Sequence, residues 1–443
     1  MSKNNKSADP SQSSGSSSSH SAAIDWSEFG LGWRILLLAT LGVAINANAS
    51  MLYAFGAMVL PLQNAFGWER AELQTSISFL FAGAVLGSQI VGWLNLRYGM
   101  KRVTVVSLIS LSLVFALMTQ MGRSIYWLYL FFTLLPIASM GTMQVTWTQI
   151  VNLWFERNRG LSLALVLSGT GLAAALIPSA VTWSVERWGW QAAFIFLALL
   201  PVLLVLPLAL RWMTVPNKVL RTAAATATEA SVKTDASNSP ERVLPGVSFS
   251  AGIRSANFWF LNIALCLVVG AVVTMVTNTV PLLRDKGLSA ADASKIFGGF
   301  GLSLIFGRVL VGYLIDRLWP PGVAAVALAV PALGCFLLWS TGAADFYWLV
   351  FATFLIGIGA GAEFDIAAYL VSRYFGLRDY GRLFGIHLGL ITAAAALAPL
   401  MFSAIYTATG NYTTMLALCG AGFLLGALML LPLGRPPLFN KAE

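Results

Sequence analysis

The sequence predicts an all-α membrane protein whose twelve transmembrane helices form two pseudo-symmetric six-helix halves. Its composition, its long apolar runs and an internal repeat all predict this fold class. Of the 443 residues, 58% are hydrophobic and only 10% are charged, and the mean hydropathy is +0.77. A soluble protein of this composition could not cover its apolar surface with polar side chains, so we expect lipid to be its solvent.

Twelve apolar runs are long enough to cross a hydrocarbon core, which takes about twenty residues of helix. They fall into two groups of six, separated by a polar segment rich in Ala, Thr, Ser, Asn and Lys. We number them as spans 1 to 12, predicted near residues 35–62, 73–96, 103–121, 125–151, 161–183, 191–213, 257–283, 293–315, 322–341, 346–371, 382–405 and 412–433.

The distribution of Lys and Arg predicts the orientation of the chain. Most of these residues fall in the tails and in the loops on the same side as both termini, and cytoplasmic loops carry this excess. We therefore expect a multi-pass protein of the inner or plasma membrane with both termini in the cytoplasm. The predicted regions are a disordered cytoplasmic tail (1–32), an N-terminal six-helix bundle (33–213), a cytoplasmic connector (214–254), a C-terminal six-helix bundle (255–433) and a cytoplasmic tail (434–443).

Several classes of function are excluded by the same residues. The net charge of +9 is spread singly along the ends of apolar runs and forms no basic patch, which argues against a nucleic-acid partner. The three cysteines lie inside apolar runs, where thiols act as small hydrophobic groups, so no disulfide or metal site is predicted. No nucleophile motif or phosphate loop indicates an enzyme. We expect no cofactor, a lipid bilayer as surroundings and a monomer.

The two groups of spans are related by an internal repeat with an offset of 220 residues. The offset carries Pro61 to Pro281 and Gly67 to Gly287, and it also pairs Gly87 with Gly307, Gly92 with Gly312, Arg97 with Arg317, and Phe155 with Phe375. One fixed offset across loops, helix ends and charges predicts a duplicated six-helix unit.

The loops after spans 2 and 8 carry the motif that identifies a family. The first reads Gly92-Trp-Leu-Asn-Leu-Arg97-Tyr-Gly and the second Gly312-Tyr-Leu-Ile-Asp316-Arg317. They resemble the loop signature of the major facilitator superfamily, although the first copy has a leucine where the general signature has Asp. The resemblance implies the major facilitator fold, and it implies that Arg97, Asp316 and Arg317 are gating residues that latch the cytoplasmic ends of the helices.

Further segments resemble a narrower group, the bacterial relatives of monocarboxylate transporters and oxalate/formate antiporters. These are Tyr53-Ala-Phe-Gly with Pro61-Leu, then Phe66-Gly-Trp-Glu-Arg70, and Trp154-Phe-Glu-Arg-Asn-Arg-Gly-Leu161. The resemblance extends over residues 33–433 and implies an organic anion as substrate.

Three formal charges fall inside predicted spans: Arg308 in span 8, and Glu363 and Asp365 in span 10. Such residues cost about 2.5–3.5 kcal/mol each to insert, so those that persist usually face a cavity. The guanidinium of Arg308 is always charged and fits a carboxylate. The segment Phe306-Gly-Arg308 followed by Gly312 also resembles the one that bears the substrate-binding arginine in those relatives. Alternatively, Arg308 only pairs with Glu363 or Asp365 and holds spans 8 and 10 together.

Glu363 and Asp365 are the candidate proton-coupling residues. Two positions apart on a helix, they point in directions about 200° apart and cannot both face one cavity squarely. We expect one to pair with Arg308 or carry the coupling proton and the other to brace a neighbouring helix, and the sequence leaves open which does which.

Other candidate substrate-binding residues are polar or aromatic side chains within the spans. His387 stands near the place where relatives that carry dianions have a lysine, and the loss of that permanent positive charge favours a monocarboxylate over a dicarboxylate. The alternative for each candidate is helix-to-helix hydrogen bonding or an interfacial aromatic position. The remaining candidates are Tyr53, Asn46, Asn48, Gln144, Trp147 and Asn278.

The resemblance and the buried charges together predict a secondary active transporter of a small organic anion, a monocarboxylate. We expect proton-coupled symport by alternating access of the two six-helix halves, with the anion and protons as the transported partners. The alternative is an antiporter that exchanges one anion for another, or an exporter of lipophilic acids or drugs.

Overall fold

A computed structural model describes residues 26–155, 158–214, 246–315, 317–376, 378–435 and 437. Spans 1 to 6 form the N-terminal half, and four of them, spans 1, 4, 5 and 6, are interrupted helices. Span 1 consists of Trp26–Ile45 and Ala47–Phe66, span 2 of Arg70–Tyr98, and span 3 of Met100–Met118. Span 4 consists of Ile125–Ala138, the 3-10 turn Met140–Thr142 and Gln144–Trp154, span 5 of Arg159–Leu167 and Gly169–Trp188, and span 6 of Trp190–Leu200, the π-helical turn Pro201–Val205 and Leu206–Trp212.

Spans 7 to 12 form the C-terminal half, and each is one long helix. They are Ala256–Asp285, Ala290–Ile315, Pro320–Ser340, Phe346–Phe375, Tyr380–Thr409 and Thr413–Leu430, the last followed by the 3-10 turn Leu431–Leu433. A short helix, Phe249–Arg254, precedes span 7. The predicted twelve-helix fold is thereby confirmed.

Ten helices of the described chain are long and apolar enough to cross a membrane, and spans 2 and 4 complete the twelve. Span 2 is a helix of 29 residues whose charges, Arg70, Glu72 and Arg97, lie near its ends, and span 4 is broken at Ser139–Met143. Large apolar side chains are exposed around the whole bundle. That pattern is typical of a surface that faces lipid.

The repeat in the sequence is repeated in the structure. Gly67 ends span 1 with φ 75°, and Gly287 follows the end of span 7 with φ 97°, a left-handed region that favours glycine. Pro61 and Pro281 lie inside the same two helices, one and a half turns before these ends. Equivalent residues of the two halves therefore shape equivalent helix ends.

The N-terminal region differs from the prediction, because the first helix begins at Trp26 and not after residue 32. Residues 1–25 of the predicted disordered tail lie outside the described residues. The start of span 1 is held by contacts to the loop after span 4: the rings of Phe29 and Phe155 are 5.5 Å apart, and a carboxylate oxygen of Glu28 accepts a hydrogen bond of 2.9 Å from the amide of Asn158. These contacts extend the helix beyond the apolar run.

The predicted connector also ends earlier than expected, because residues 249–254 are helical. The amide of Phe249 donates a hydrogen bond of 2.9 Å to a carboxylate oxygen of Asp379, at the start of span 11, and the Arg382 guanidinium lies 4.7 Å from the Phe249 ring. Residues 215–245 lie outside the described residues. In the predicted C-terminal tail, the carbonyl of Gly434 accepts hydrogen bonds from Trp319 and Tyr374.

The two halves pack through spans 5 and 8, spans 2 and 11, and spans 1 and 7. Glycines allow the closest approach: a Cβ on Gly301 of span 8 would lie 2.2 Å from the backbone nitrogen of Ala175 in span 5, and a Cβ on Gly171 would lie 2.4 Å from the Ile305 side chain. We call the face that carries the described chain ends, Trp26 and Gly434, the chain-end face. Among the described residues, every hydrogen bond between the halves lies towards the opposite face.

Candidate functional site

A cavity of about 140 Å³ lies between the two halves and is lined by both of them. We call it the central cavity. Spans 1, 2, 4 and 5 contribute one side, and spans 7, 8, 10 and 11 contribute the other. The lining residues are Leu52, Tyr53, Phe81, Gln144, Thr170, Val269, Val272, Val273, Val276, Leu304, Arg308, Ala360, Glu363, Phe364, Ile391, Thr392 and Ala395. Two formal charges thus stand in a largely apolar chamber.

Arg308 is held where span 8 crosses span 10 at very close range. A Cβ on Gly361 would lie 2.1 Å from the carbonyl oxygen of Leu304, and a Cβ on Gly307 would lie 2.5 Å from the carbonyl oxygen of Ile358. Glycine is therefore needed on both helices. The Arg308 side chain is only 6% exposed, so a permanent charge is buried at this crossing.

The guanidinium of Arg308 is only partly paired. Its Nε donates a hydrogen bond of 3.0 Å to Oδ2 of Asp365, whereas its Nη1 is buried and has no hydrogen-bond partner among the described residues. A buried donor without an acceptor is costly, and more so when it is charged. The site therefore offers a strong donor to an anion that enters the cavity.

Glu363 and Asp365 have different surroundings, as their spacing on the helix predicts. Glu363 lines the central cavity, is 5% exposed, and its Oε2 is buried without a hydrogen-bond partner in the described chain. Asp365 has a side chain that is 37% exposed and lines a second cavity of about 160 Å³, which also includes Arg308. Arg308 thus lies between two cavities, each with its own carboxylate.

Two further candidates line the central cavity. Tyr53 of span 1 is buried, with its ring 6.4 Å from the ring of Phe300 in span 8. Gln144 begins the second helix of span 4 and has an exposed side chain. The break in span 4 gives Gln144 its position at the cavity wall.

The remaining candidates of the N-terminal half do not line this cavity. Asn46 caps the second helix of span 1: its Oδ1 accepts from the Ala49 amide at 3.0 Å, and its Nδ2 donates to the Val43 carbonyl at 2.5 Å. Asn48, two residues further, is half-buried. Trp147 is fully buried, and its ring packs directly against Gly42 of span 1, where a side chain would leave no room for it. Its indole donates a hydrogen bond of 2.9 Å to the Thr142 carbonyl.

The remaining candidates of the C-terminal half lie in contacts between helices. Asn278 of span 7 accepts a hydrogen bond of 2.8 Å from Gln74 of span 2, a contact between the two halves. His387 of span 11 is fully buried, and its Nδ1 lies 2.7 Å from Oδ1 of Asn262 in span 7. Both arrangements correspond to the helix-packing alternative, and a direct role in binding stays a prediction for both.

Two of the predicted gating residues, Arg97 and Arg317, lie on the chain-end face. The Arg317 guanidinium lies 3.8 Å from the centre of the Tyr313 ring, and that of Arg97 lies about 5.9 Å from the Trp93 ring. Neither arginine forms an ion pair with another described residue. Asp316 lies outside the described residues, so a latch among these three stays a prediction.

The opposite face is closed by a contact whose role the sequence did not predict. Arg70, at the start of span 2, forms a two-pronged ion pair with Asp285, at the end of span 7, with 2.7 Å between Nη2 and Oδ1. The hydroxyls of Tyr406 and Tyr412 accept further hydrogen bonds of 3.1 and 3.0 Å from its Nη1, and Gln63 accepts one from Nε. A signal was present: the 220-residue offset carries Arg70 to Ala290, so this charge belongs to one half only.

Two six-helix halves around a central cavity, joined at one face, define a membrane transporter and not an enzyme. A sequence model of the Major Facilitator Superfamily matches residues 36–344. The chain belongs to this superfamily, and it is a secondary transporter of that class.

Several known proteins are similar in sequence to this chain along nearly its whole length. A gallate transporter of Pseudomonas putida is 27% identical over 406 residues, which cover 84% of this chain and 88% of that protein. Monocarboxylate transporter 13 of Bos taurus is 24% identical and covers 91% of this chain and 89% of its own length. The predicted resemblance to monocarboxylate transporters is confirmed at the level of the superfamily.

Solved structures share the fold. The crystal structure of a D-xylose-proton symporter superposes with a TM-score of 0.67 over 93% of this chain and 99% of that one, at 15% identity. A peptide transporter in complex with sulfate superposes with a TM-score of 0.66 over 89% of this chain and 93% of its own, also at 15% identity. At this identity the comparison supports the fold alone.

Proposed function

We propose that this protein carries a small organic monocarboxylate across the membrane together with a proton, by alternating access of its two halves. The observation that carries the proposal is Arg308, a buried guanidinium at the central cavity whose Nη1 has no hydrogen-bond partner in the described chain. The chamber around it is otherwise mostly apolar. An anion with a carbon body fits both properties.

Arg308 is the anion-binding residue in this proposal. Its Nη1 is free of protein partners in the described chain, and its Nε is held by Asp365 from the side of the second cavity. A carboxylate in the central cavity would accept from Nη1, and charged hydrogen bonds of this kind contribute about 1.5–3 kcal/mol each. Asp365 meanwhile keeps the guanidinium oriented and compensates its charge when the cavity is empty.

Glu363 is the proton carrier in this proposal. It lines the same chamber as Arg308, and its Oε2 has no partner there among the described residues. An ionised Glu363 would repel a substrate carboxylate: two like charges about 4 Å apart cost about 4 kcal/mol at an effective dielectric constant of about 20. A proton on Glu363 removes this repulsion, so anion and proton bind together.

The choice of a monocarboxylate also draws on relatives. The proteins similar to this chain include one named for gallate and one named as a monocarboxylate transporter, and both names denote carriers of organic acids. One fixed guanidinium for the anion, with His387 buried in a helix contact instead of facing the cavity, favours a single negative charge.

The proposal also includes the orientation of the protein in the membrane. The Lys and Arg distribution favours both termini in the cytoplasm of a cell with this protein in its inner or plasma membrane. The closed face then lies outside, and the present conformation is inward-facing. Transport requires the Arg70 to Asp285 contact to open so that the central cavity can reach the exterior.

The test uses purified protein in liposomes and a panel of radiolabelled monocarboxylates. We expect uptake of at least one acid to rise with an inward proton gradient and to fall about 10- to 100-fold in Arg308→Ala, the range that corresponds to one lost charged hydrogen bond. Arg187→Ala, which removes an exposed arginine of span 5, is the matched control and should transport normally.

Two outcomes contradict the proposal in different ways. Wild-type rates in folded Arg308→Ala would remove the anion site. Uptake that ignores the proton gradient but requires an anion inside the liposome would replace symport with exchange, and movement of lipophilic drugs in preference to small acids would replace the substrate class.

A further inference from the structure

One wall of the central cavity consists of valine alone. Val269, Val272, Val273 and Val276 recur at intervals of three or four along span 7, so they form a single stripe on one face of the helix. All four are buried. We call this surface the valine stripe. It offers no hydrogen-bond donor or acceptor to a molecule in the cavity.

The other polar groups of the lining offer few hydrogen bonds in place of those that the valine stripe lacks. The hydroxyls of Thr170 and Thr392 donate to carbonyls of their own spans, those of Leu167 and Leu388, at 2.9 and 2.7 Å, so each can only accept a hydrogen bond from a molecule in the cavity. Leucine, isoleucine, alanine and phenylalanine make up most of the rest. Apart from the two charges, the phenol of Tyr53 and the amide of Gln144 are the polar groups in the lining that form no hydrogen bond with another residue of the described chain.

The size of the cavity sets a second limit. An apolar protein cavity of about 150 Å³ is known to hold a benzene molecule, and the central cavity measures about 140 Å³. A six-membered ring or a short branched chain therefore fills it. Groups added to such a body would press against the lining, including the valine stripe.

We propose that the valine stripe makes this protein selective for monocarboxylates with a compact apolar body and against acids whose body carries hydroxyl groups. This inference rests on the proposed function, since it names the class of acid that the Arg308 site accepts. The carboxylate binds Arg308 and the body packs on span 7. A hydroxyl buried against valine loses its hydrogen bonds to water and gains none.

The magnitude follows from how apolar pockets treat added hydroxyls. Such a pocket rejects a single added hydroxyl by up to about 100-fold. Gallate carries three hydroxyls on the ring of benzoate, and one of them can meet Gln144 or Tyr53. We therefore expect kcat/KM for benzoate to exceed that for gallate by about 10- to 100-fold.

The experiment compares benzoate with gallate in the same proteoliposomes, with wild type and with Val272→Thr and Val276→Thr. Threonine has nearly the shape of valine, and its hydroxyl oxygen can accept a hydrogen bond from a ring hydroxyl. In both variants, the ratio of kcat/KM for benzoate to kcat/KM for gallate should be about tenfold lower than in wild type. Val268→Thr is the matched control, because Val268 is buried on the same helix but does not line the cavity, and its ratio should equal that of wild type. Thermal unfolding in the absence of ligand establishes that all three variants are folded.

Each outcome decides the inference. A ratio above about ten in wild type that shrinks in the two cavity variants supports it. Gallate carried as well as benzoate by wild type, or a ratio unchanged in both folded cavity variants, overturns the selectivity and leaves the proposed function standing. No transport of any monocarboxylate by folded wild type overturns both.

Discussion

Arg70 and Asp285 form the only ion pair that joins the two halves within the described parts of the chain. Arg70 opens span 2 and Asp285 closes span 7, and the two tyrosines that complete the site come from the ends of spans 11 and 12. Aromatic rings also lie within 6.0 Å of the guanidinium. One arginine of the N-terminal half thus contacts spans 7, 11 and 12 of the C-terminal half at the closed face.

Removing the Arg70 side chain should shift the protein towards a conformation in which this face is open. Four of the five hydrogen bonds of this guanidinium join the two halves and exist only while this face is closed, so Arg70→Ala destabilises the closed state selectively. Spin labels at Glu186→Cys and Lys295→Cys, exposed near the closed ends of spans 5 and 8, report the change as a longer inter-label distance by electron-electron double resonance. The three native cysteines are replaced first.

Arg123→Ala is the control for this measurement. Arg123 is exposed on the same face, and its backbone carbonyl accepts a hydrogen bond of 2.7 Å from the indole of Trp68, a bond that the substitution leaves in place. The distribution of inter-label distances in Arg123→Ala should match that of the parent protein. An unchanged distribution in Arg70→Ala would mean that the glycine-lined crossing of spans 5 and 8 keeps the face closed without the ion pair.

The fold was predictable because membrane helices are encoded locally. Each span needs its own run of apolar residues, and duplicated positions such as Pro61 and Pro281 or Gly67 and Gly287 mark equivalent helix ends. The start of span 1 was missed because residues 26–32 are polar enough to resemble a tail. Their helix is stabilised by Phe155 and Asn158, a contact from another part of the chain.

The site was predictable in part, for a physical reason. Buried charges are so costly that Arg308 and one of the two carboxylates, Glu363 or Asp365, could be assigned to a cavity from the sequence alone, although the sequence did not show which carboxylate. Polar residues without charge carry no such signal: Asn46 caps a broken helix and Asn278 bonds to the other half. The role of Arg70 depends on partners more than 200 positions away, which no local pattern reveals.

Replacing Glu363 by glutamine should separate acid movement from proton movement. The amide keeps the size of the side chain and removes the proton site, so an inward proton gradient should no longer accelerate uptake. Exchange of labelled against unlabelled acid at equal pH should continue, because Arg308 is intact. Uptake under a gradient and exchange at equal pH are measured in the same liposomes.

The control for this change is Glu186→Gln, an exposed glutamate at the end of span 5. It should retain gradient-driven uptake. Persistent gradient dependence in Glu363→Gln would assign the coupling proton to another group, with Asp365 as the first to examine because it contacts Arg308 directly.

Replacing Asp365 by asparagine should lower the stability of the ligand-free protein and increase the stabilisation that a bound monocarboxylate provides. The change leaves the buried Arg308 charge without its partner, which should lower the free energy of unfolding by about 1–3 kcal/mol. A bound carboxylate then supplies the missing acceptor, so saturating acid should raise the melting temperature more in Asp365→Asn than in wild type. Thermal unfolding with and without the acid measures both effects.

Two results would contradict this view of Asp365. Equal stability of Asp365→Asn and wild type would mean that the pair contributes nothing in the empty state. A smaller acid-induced rise in melting temperature would mean that a bound acid does not replace the charge compensation that Asp365 gives Arg308 in the empty protein. Asp292→Asn is the control, since Asp292 is exposed at the start of span 8 and its ion pair with Lys295 is a surface contact worth little.

Gly301→Ala should be destabilising out of proportion to the one methyl group it adds. The new Cβ would lie 2.2 Å from a backbone nitrogen of span 5, so spans 5 and 8 must separate, and overpacking of this kind costs about 1–3 kcal/mol. The lower melting temperature should be accompanied by a longer distance between labels at positions 186 and 295. Gly389→Ala on span 11, where a Cβ meets nothing within 4 Å, should leave both measurements unchanged or stabilise the helix slightly. If Gly301→Ala behaved like Gly389→Ala, the two halves would be less closely packed at this crossing than the structure shows.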